Sequence, residues 1–259
     1  MRALVHPRWR TLRAQLHGST GPKTFRRGLR TVCAALLLSF VKLSWGQLGV
    51  SLTAETDYRY RGISLSKKKP ALRLSLAYDD ASGWYAGAAA TQVELNQRQY
   101  LVLAYLGYAR RWAPGLSWEI GATSARFTEN SGYRDLTGYD YDFSEAYAGL
   151  IADRWNCRVY YSPDYYAWRE QTAYVELNGG RPLRGTFRLV GHLGALLNLG
   201  QQVAAGARRV RYDLRLGVAR STDRWDMQLA WSGASREHVP RFAPTPSRSG
   251  WVLSASRFF

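Results

Sequence analysis

The chain has 259 residues, 36 basic and 19 acidic, and a slightly negative mean hydropathy, which excludes a helical membrane bundle. Nine of the basic residues and no acidic ones lie in residues 1–46, so the remainder carries a formal +8. Its acids and bases alternate along short segments and form no basic helix, which argues against a nucleic-acid partner.

Met1–Arg30 is basic and has no regular apolar period. Thr31–Val41 (TVCAALLLSFV) is an apolar run of signal-peptide length, too short for a spanning helix. Ser44-Trp45-Gly46 offers small residues where a signal peptidase reads, with cleavage expected before Gln47. Residues 1–46 are therefore read as a signal peptide with an unusually long basic n-region, and residues 47–259 as the exported chain. Cys33 lies in the leader, which leaves Cys157 alone. One thiol makes neither a disulfide framework nor a metal centre, so no metal and no cofactor is expected.

Leu48–Gly62 (LGVSLTAETDYRYRG) alternates an apolar set with a polar one, the period of a strand with two unlike faces. Further strands are predicted at Ala71–Tyr78, Trp84–Thr91, Gln99–Ala109, Leu116–Ser124, Phe143–Ile151 and Cys157–Ser162. The remaining five are Thr172–Asn178, Thr186–Ala195, Val210–Ala219, Trp225–Ser232 and Gly250–Phe259. Val210–Ala219 is among the clearest, with Val210, Tyr212, Leu214, Leu216 and Val218 opposite Arg211, Asp213, Arg215 and Gly217.

Connections near Asp79, Trp112, Trp155, Pro182 and Asp223 are tight, and those at Lys67, Thr128, Tyr165, Gly200 and Pro240 are longer. Outer-membrane barrels show this alternation of short periplasmic turns with longer extracellular loops. Trp84, Trp112, Trp118, Trp155, Trp225 and Tyr78 fall near the short turns, and Tyr58, Tyr60, Phe127, Tyr141 and Tyr165 near the long loops, as two aromatic girdles. The chain ends on Phe259, as barrels read by the barrel-insertion machinery do, although Arg257 stands where an apolar residue is commoner. The expected fold is an all-β, single antiparallel up-and-down transmembrane β-barrel of about 12 strands in the bacterial outer membrane.

In that fold the apolar faces meet lipid and the polar faces enclose a lumen. The lumen-lining candidates are Glu55, Asp57, Arg59, Arg61, Arg73, Glu119, Glu145, Arg158, Glu176, Arg188, Arg211, Asp213 and Arg215, with His192 beside them. Charges facing one another in a narrow lumen either pair into a plug or line a path, and arginines in a wall favour anions. Three function classes follow: a porin for small hydrophilic solutes or ions with mild anion preference, a closed structural or adhesive barrel, and a lipid-modifying enzyme. The enzyme has the least support. His192 has no serine facing it and His238 lies in a proline-rich stretch, so neither offers a nucleophile–base pair and no catalytic residue is assigned. Lys67-Lys68-Lys69 carries charge suited to lipopolysaccharide phosphates, or simply forms a solvated loop.

Asp57-Tyr58-Arg59-Tyr60-Arg61-Gly62-Ile63-Ser64, followed by Lys69-Pro70-Ala71, resembles the N-terminal signature of the TorF-type porins of Gram-negative outer membranes. Ser82-Gly83-Trp84-Tyr85-Ala86-Gly87, Phe143-Ser144-Glu145 and Ser162-Pro163-Asp164-Tyr165 resemble later parts of that family. The resemblance implies an envelope location and a channel, with outer-membrane lipid and small solutes as partners. It brings no substrate or mechanism with it.

Overall fold

The computed structural model describes residues 47–94, 98–128, 142–165, 170–200, 209–235 and 249–259. The expected signal peptide, the stretch 129–141 and His238 lie outside these. The strands are β1 (Gln47–Glu55), β2 (Arg59–Tyr60), β3 (Ile63–Ser64), β4 (Ala71–Asp79), β5 (Trp84–Glu94), β6 (Arg98–Ala113), β7 (Leu116–Thr128), β8 (Phe143–Ala152), β9 (Trp155–Tyr165), β10 (Glu170–Pro182), β11 (Phe187–Asn198), β12 (Val210–Ser221), β13 (Trp225–Ala234) and β14 (Ser249–Phe258). β1 and β4 to β14 close into one antiparallel barrel of twelve strands, each paired with its sequence neighbour, and β14 returns to β1. β2 and β3 form a separate hairpin.

The alternation read from the sequence is what divides this sheet into two faces. Leu72, Leu74 and Leu76 of β4, and Tyr212, Leu214, Leu216 and Val218 of β12, are exposed on the outside. An unbroken apolar belt of this kind is untenable in water and is the surface that a barrel shows to lipid. No helix among the described residues is long and apolar enough to cross a membrane, a statement that does not bear on strands.

Tight turns join β4 to β5, β6 to β7, β8 to β9, β10 to β11 and β12 to β13, and the start of β1 and the end of β14 lie at that same end of the barrel. In the first turn the Ser82 hydroxyl and amide donate to Asp80 and hold its carboxyl below the usual carboxylate range. Gly83 follows with φ of 104°, a conformation open to glycine and strained for other residues.

Two sequence expectations need correction. The strand predicted over Leu48–Gly62 stops at Glu55, and the rest of that stretch leaves the barrel wall. The lower girdle is present, with Trp84, Trp112, Trp155 and Trp225 exposed at the short-turn end. The upper one, among the described residues, is made of others, and Tyr141 lies outside them. Tyr58 and Tyr165 are buried, Tyr60 packs on the interior cluster, and Tyr100, Tyr161, Tyr212, Trp231 and Trp251 are the exposed aromatics at the far end. Tyrosine suits both a lipid interface and a packed interior, so residue type alone did not separate them. Arg257 is accommodated at the lower rim, its guanidinium 5.0 Å from the Phe259 ring and 5.7 Å from that of Trp225.

Closure is brief. β1 pairs with β14 over Ser51–Glu55 and Ser254–Phe258, with the Thr53 and Ser256 hydroxyls 2.8 Å apart across the seam and single backbone bonds, Phe259 amide to Val50 carbonyl and Thr56 amide to Leu253 carbonyl, at its two ends.

Candidate functional site: the barrel interior

The segment after β1 turns inward. Arg59–Ser64 forms a two-residue hairpin whose central residues, Arg61 and Gly62, both have positive φ (48° and 77°), the pattern of a type I′ turn. Asp57 fixes its base by accepting from Arg59 Nε at 2.7 Å and from the Ser64 and Ser66 hydroxyls, and Ser66 Oγ accepts the Tyr58 amide at 3.0 Å. The Glu94 amide donates to the Leu65 carbonyl at 2.7 Å, tying the hairpin to the top of β5.

The tip spans the interior. A Cβ added to Gly62 would stand 2.7 Å from Asp213 Cβ and 2.9 Å from Ala234 Cβ, so the turn rests directly on β12 and β13. Arg61 points the other way. Its Nη2 donates to Glu145 of β8 at 2.7 Å, and its guanidinium carbon lies 3.9 Å from the Tyr174 ring centroid, 5.0 Å from Tyr165, 5.2 Å from Tyr60 and 5.4 Å from Tyr160. Cation–π attraction of this kind grows as water is excluded. Tyr58, Leu65, Tyr160, Tyr174 and Phe143 are buried around it in one cluster.

A second layer belts the wall. Arg158 Nε and Nη2 donate to the two oxygens of Glu119 at 2.6 and 3.2 Å, and Glu119 also accepts from the Tyr85 hydroxyl. Tyr85 and Tyr147 share a hydroxyl–hydroxyl bond of 2.8 Å, and Tyr160 donates to Glu176 at 3.0 Å. Glycines make room for these rings: a Cβ at Gly107 would overlap Tyr85, one at Gly121 would overlap Tyr147, and one at Gly194 would overlap Tyr174. His192 sits between Asp213 and Asn178, with a nitrogen 2.7 Å from an oxygen of each. With both ring nitrogens engaged it is a structural pair partner rather than a poised base.

Other inward charges are held less tightly. Arg188 pairs with Asp226 at 2.7 Å, Arg73 stands 3.9 Å from Glu55, and the Arg73 side chain keeps 33% of its surface accessible. Arg215 and Arg211 lie on the inward face of β12, and Arg211 is buried. The thirteen candidates from the sequence thus occupy the inner face or the inward hairpin, and they fall into distinct groups rather than one site. Asp57, Arg59, Arg61 and Glu145 anchor the hairpin; Glu119, Arg158 and Glu176 form the belt; Asp213 backs the turn. Arg188 lies at the short-turn end, Glu55 and Arg73 lie on the inner faces of β1 and β4, and Arg211 and Arg215 lie on that of β12. Sequence reasoning passed over Asp226 and the interior tyrosines. Parity held the signal, since Tyr147 is two residues from Glu145, Tyr160 two from Arg158 and Tyr174 two from Glu176.

No group of His, Cys, Asp and Glu among the described residues has a metal-binding arrangement. A comparison with curated proteins finds no match. The family model described as "Bacterial protein of unknown function (Gcw_chp)" matches residues 44–248. The chain belongs to the Gcw_chp family. In fold, this Gcw_chp member resembles solved outer-membrane porins. A KdgM porin aligns with a TM-score of 0.52 at 10% identity over 82% of this chain and 99% of its own. A NanC porin aligns at 0.56 and 12% identity over 82% and 99%. A KdgM porin in complex with disordered oligogalacturonate aligns at 0.51 and 9% identity, again over 82% and 99%. At such identities the likeness is one of architecture: the Gcw_chp chain has the twelve-stranded barrel fold of bacterial outer-membrane proteins.

Proposed function

We propose that the protein is an outer-membrane porin with a narrow throat, passing small hydrophilic solutes or ions. The observation that carries this reading is the inward hairpin, which crosses a charged interior inside a barrel whose outer wall is apolar. A twelve-stranded barrel is wider than one filled by its own side chains. Here the hairpin and the tyrosines take up the extra width, among charged rather than aliphatic side chains. The TorF-type signature quoted from the sequence covers this same hairpin, so the resemblance and the constriction rest on one set of residues. Oligogalacturonate in a KdgM porin is an acidic sugar chain, in keeping with an interior that holds several arginines.

Mild anion preference fits the same picture. Arg73 and Arg188 are the more accessible partners of their pairs, with side-chain exposures of 33% and 20% against 7% for Glu55 and 12% for Asp226. Export through the 1–46 leader, lipid and lipopolysaccharide around the wall, and recognition of Phe259 by the insertion machinery complete the reading.

The test is single-channel recording of the refolded protein in a planar bilayer. We expect small, discrete conductance steps and a reversal potential in a potassium chloride gradient that favours chloride. Burial of the side chains around the hairpin favours a second reading, a sealed structural barrel. That reading wins if folded, heat-modifiable protein gives no current above background.

A further inference from the structure

We propose that Arg73 and Arg215 form an oxyanion-binding subsite in the barrel interior, taking a carboxylate or phosphate group of a solute. The inference deepens the porin reading and rests on the interior being a solute path. Its basis is an arginine, buried at its Nε, that no carboxylate grips. Arg59, Arg61, Arg158 and Arg188 each hold a carboxylate at 2.6–2.7 Å. Arg215 does not. Among the described residues it makes no hydrogen bond or ion pair, and its Nε is buried without a partner.

Glu55, Arg73 and Asp226 lie within electrostatic reach of Arg215. Asp226 is already occupied, accepting from Arg188 at 2.7 Å and from the Ser221 hydroxyl at 2.6 Å. Glu55 is the carboxylate that acts on both Arg73 and Arg215. Arg73 approaches it only to 3.9 Å, beyond hydrogen-bond range, and Glu55 Oε1 is buried with no hydrogen-bond partner. Two guanidiniums therefore share one carboxylate that neither grips, which leaves one positive charge over.

An uncompensated charge inside a protein is unfavourable and is relieved by a counter-charge. Guanidinium groups present planar, paired donors that match a carboxylate or phosphate edge. The Tyr58 ring, 5.8 Å from the Arg73 guanidinium carbon, marks the hairpin side of the subsite, and the accessible part of Arg73 gives entry from the other side.

The experiment uses the folded barrel in detergent micelles at constant ionic strength, with inorganic phosphate and acetate as probes. Its readout is the thermal midpoint of the heat-modifiable form. Wild type should rise with either probe relative to chloride, since a ligand that binds only the folded state stabilises it. Arg215→Gln and Arg73→Gln should each weaken the apparent affinity by about tenfold or more, the loss expected for a charge-assisted contact. Arg184→Gln, at an exposed turn position, should behave as wild type. If Arg215→Gln does not fold, Arg73→Gln decides. Equal responses in all variants mean a general salt effect and overturn the subsite. The readout needs no current: binding without conductance sinks the path and keeps the subsite, and conductance without binding does the reverse.

Discussion

The Arg61 guanidinium carbon lies over the Tyr174 ring, 3.9 Å from its centroid, while the same group donates to Glu145 at 2.7 Å. One residue of a two-residue turn is thereby fixed to two strands that are not neighbours, β8 and β10. The turn conformation puts it there. With φ of 48° at Arg61 and 77° at Gly62, the hairpin reverses inside the lumen, and its tip meets β12 and β13.

Removing that anchor should open the throat. Arg61→Ala leaves the Glu145 carboxylate buried without its cation, a loss of about 3–5 kcal/mol for a broken buried pair. We expect a folded barrel of lower stability, with larger and noisier conductance steps than wild type. Arg61→Lys keeps the charge and loses the planar stacking group, and should fall between the two. Unchanged conductance in Arg61→Ala would show that the hairpin does not constrict the path.

The belt pair should behave as a unit. Arg158 and Glu119 are buried and doubly hydrogen-bonded, so Glu119→Gln should lower the unfolding free energy by about 3–5 kcal/mol. Combining Arg158→Met with Glu119→Leu should recover most of it, because an apolar pair of similar volume needs no charge compensation. Urea unfolding in micelles, followed by tryptophan fluorescence, measures both. Additive losses in the double variant would contradict the pairing.

Ring seats should be intolerant of side chains. Gly121→Val would drive a methyl group into the Tyr147 ring and the Leu106 carbonyl, and should destabilise by about 1–3 kcal/mol. Gly179→Ala has nothing nearer than the Arg154 carbonyl at 3.8 Å and should stay within about 0.5 kcal/mol of wild type. Equal effects at the two sites would rule out the seat.

Lipid exposure should show as depth dependence. Leu216→Arg, mid-strand on the outer face of β12, should cost about 2–4 kcal/mol when unfolding is measured from a bilayer. Leu48→Arg, at the first turn of the chain into the wall, should cost about 0–1 kcal/mol. In a soluble barrel both substitutions would be nearly neutral, since both leucines are exposed.

How far this was legible in the sequence differs by element. The wall was readable because exposure alternates residue by residue, and Val210–Ala219 shows it without exception. The hairpin was not, because Asp57-Tyr58-Arg59-Tyr60 continues the period of two past the point where the chain leaves the wall. Periodicity reports which residues share a face and not which sheet they belong to. Arg61-Gly62 was the available signal, a dipeptide ending in the glycine that a tight reversal favours, with Asp57, Ser64 and Ser66 spaced to clasp it. The pairing of interior charges was less accessible still. Which carboxylate meets which arginine depends on strand stagger, so Arg61 with Glu145 joins positions 84 residues apart that no local pattern links.

The short seam between β1 and β14 has a bearing on the unfinished protein. The Thr53–Ser256 contact brings together residues 203 positions apart, the kind of distant closure whose entropy must be met before any reward arrives. Until it forms, both terminal strands present rows of unpaired backbone donors and acceptors, templates for any other extended chain. For this protein the danger of aggregation is concentrated in the interval before its two ends find each other.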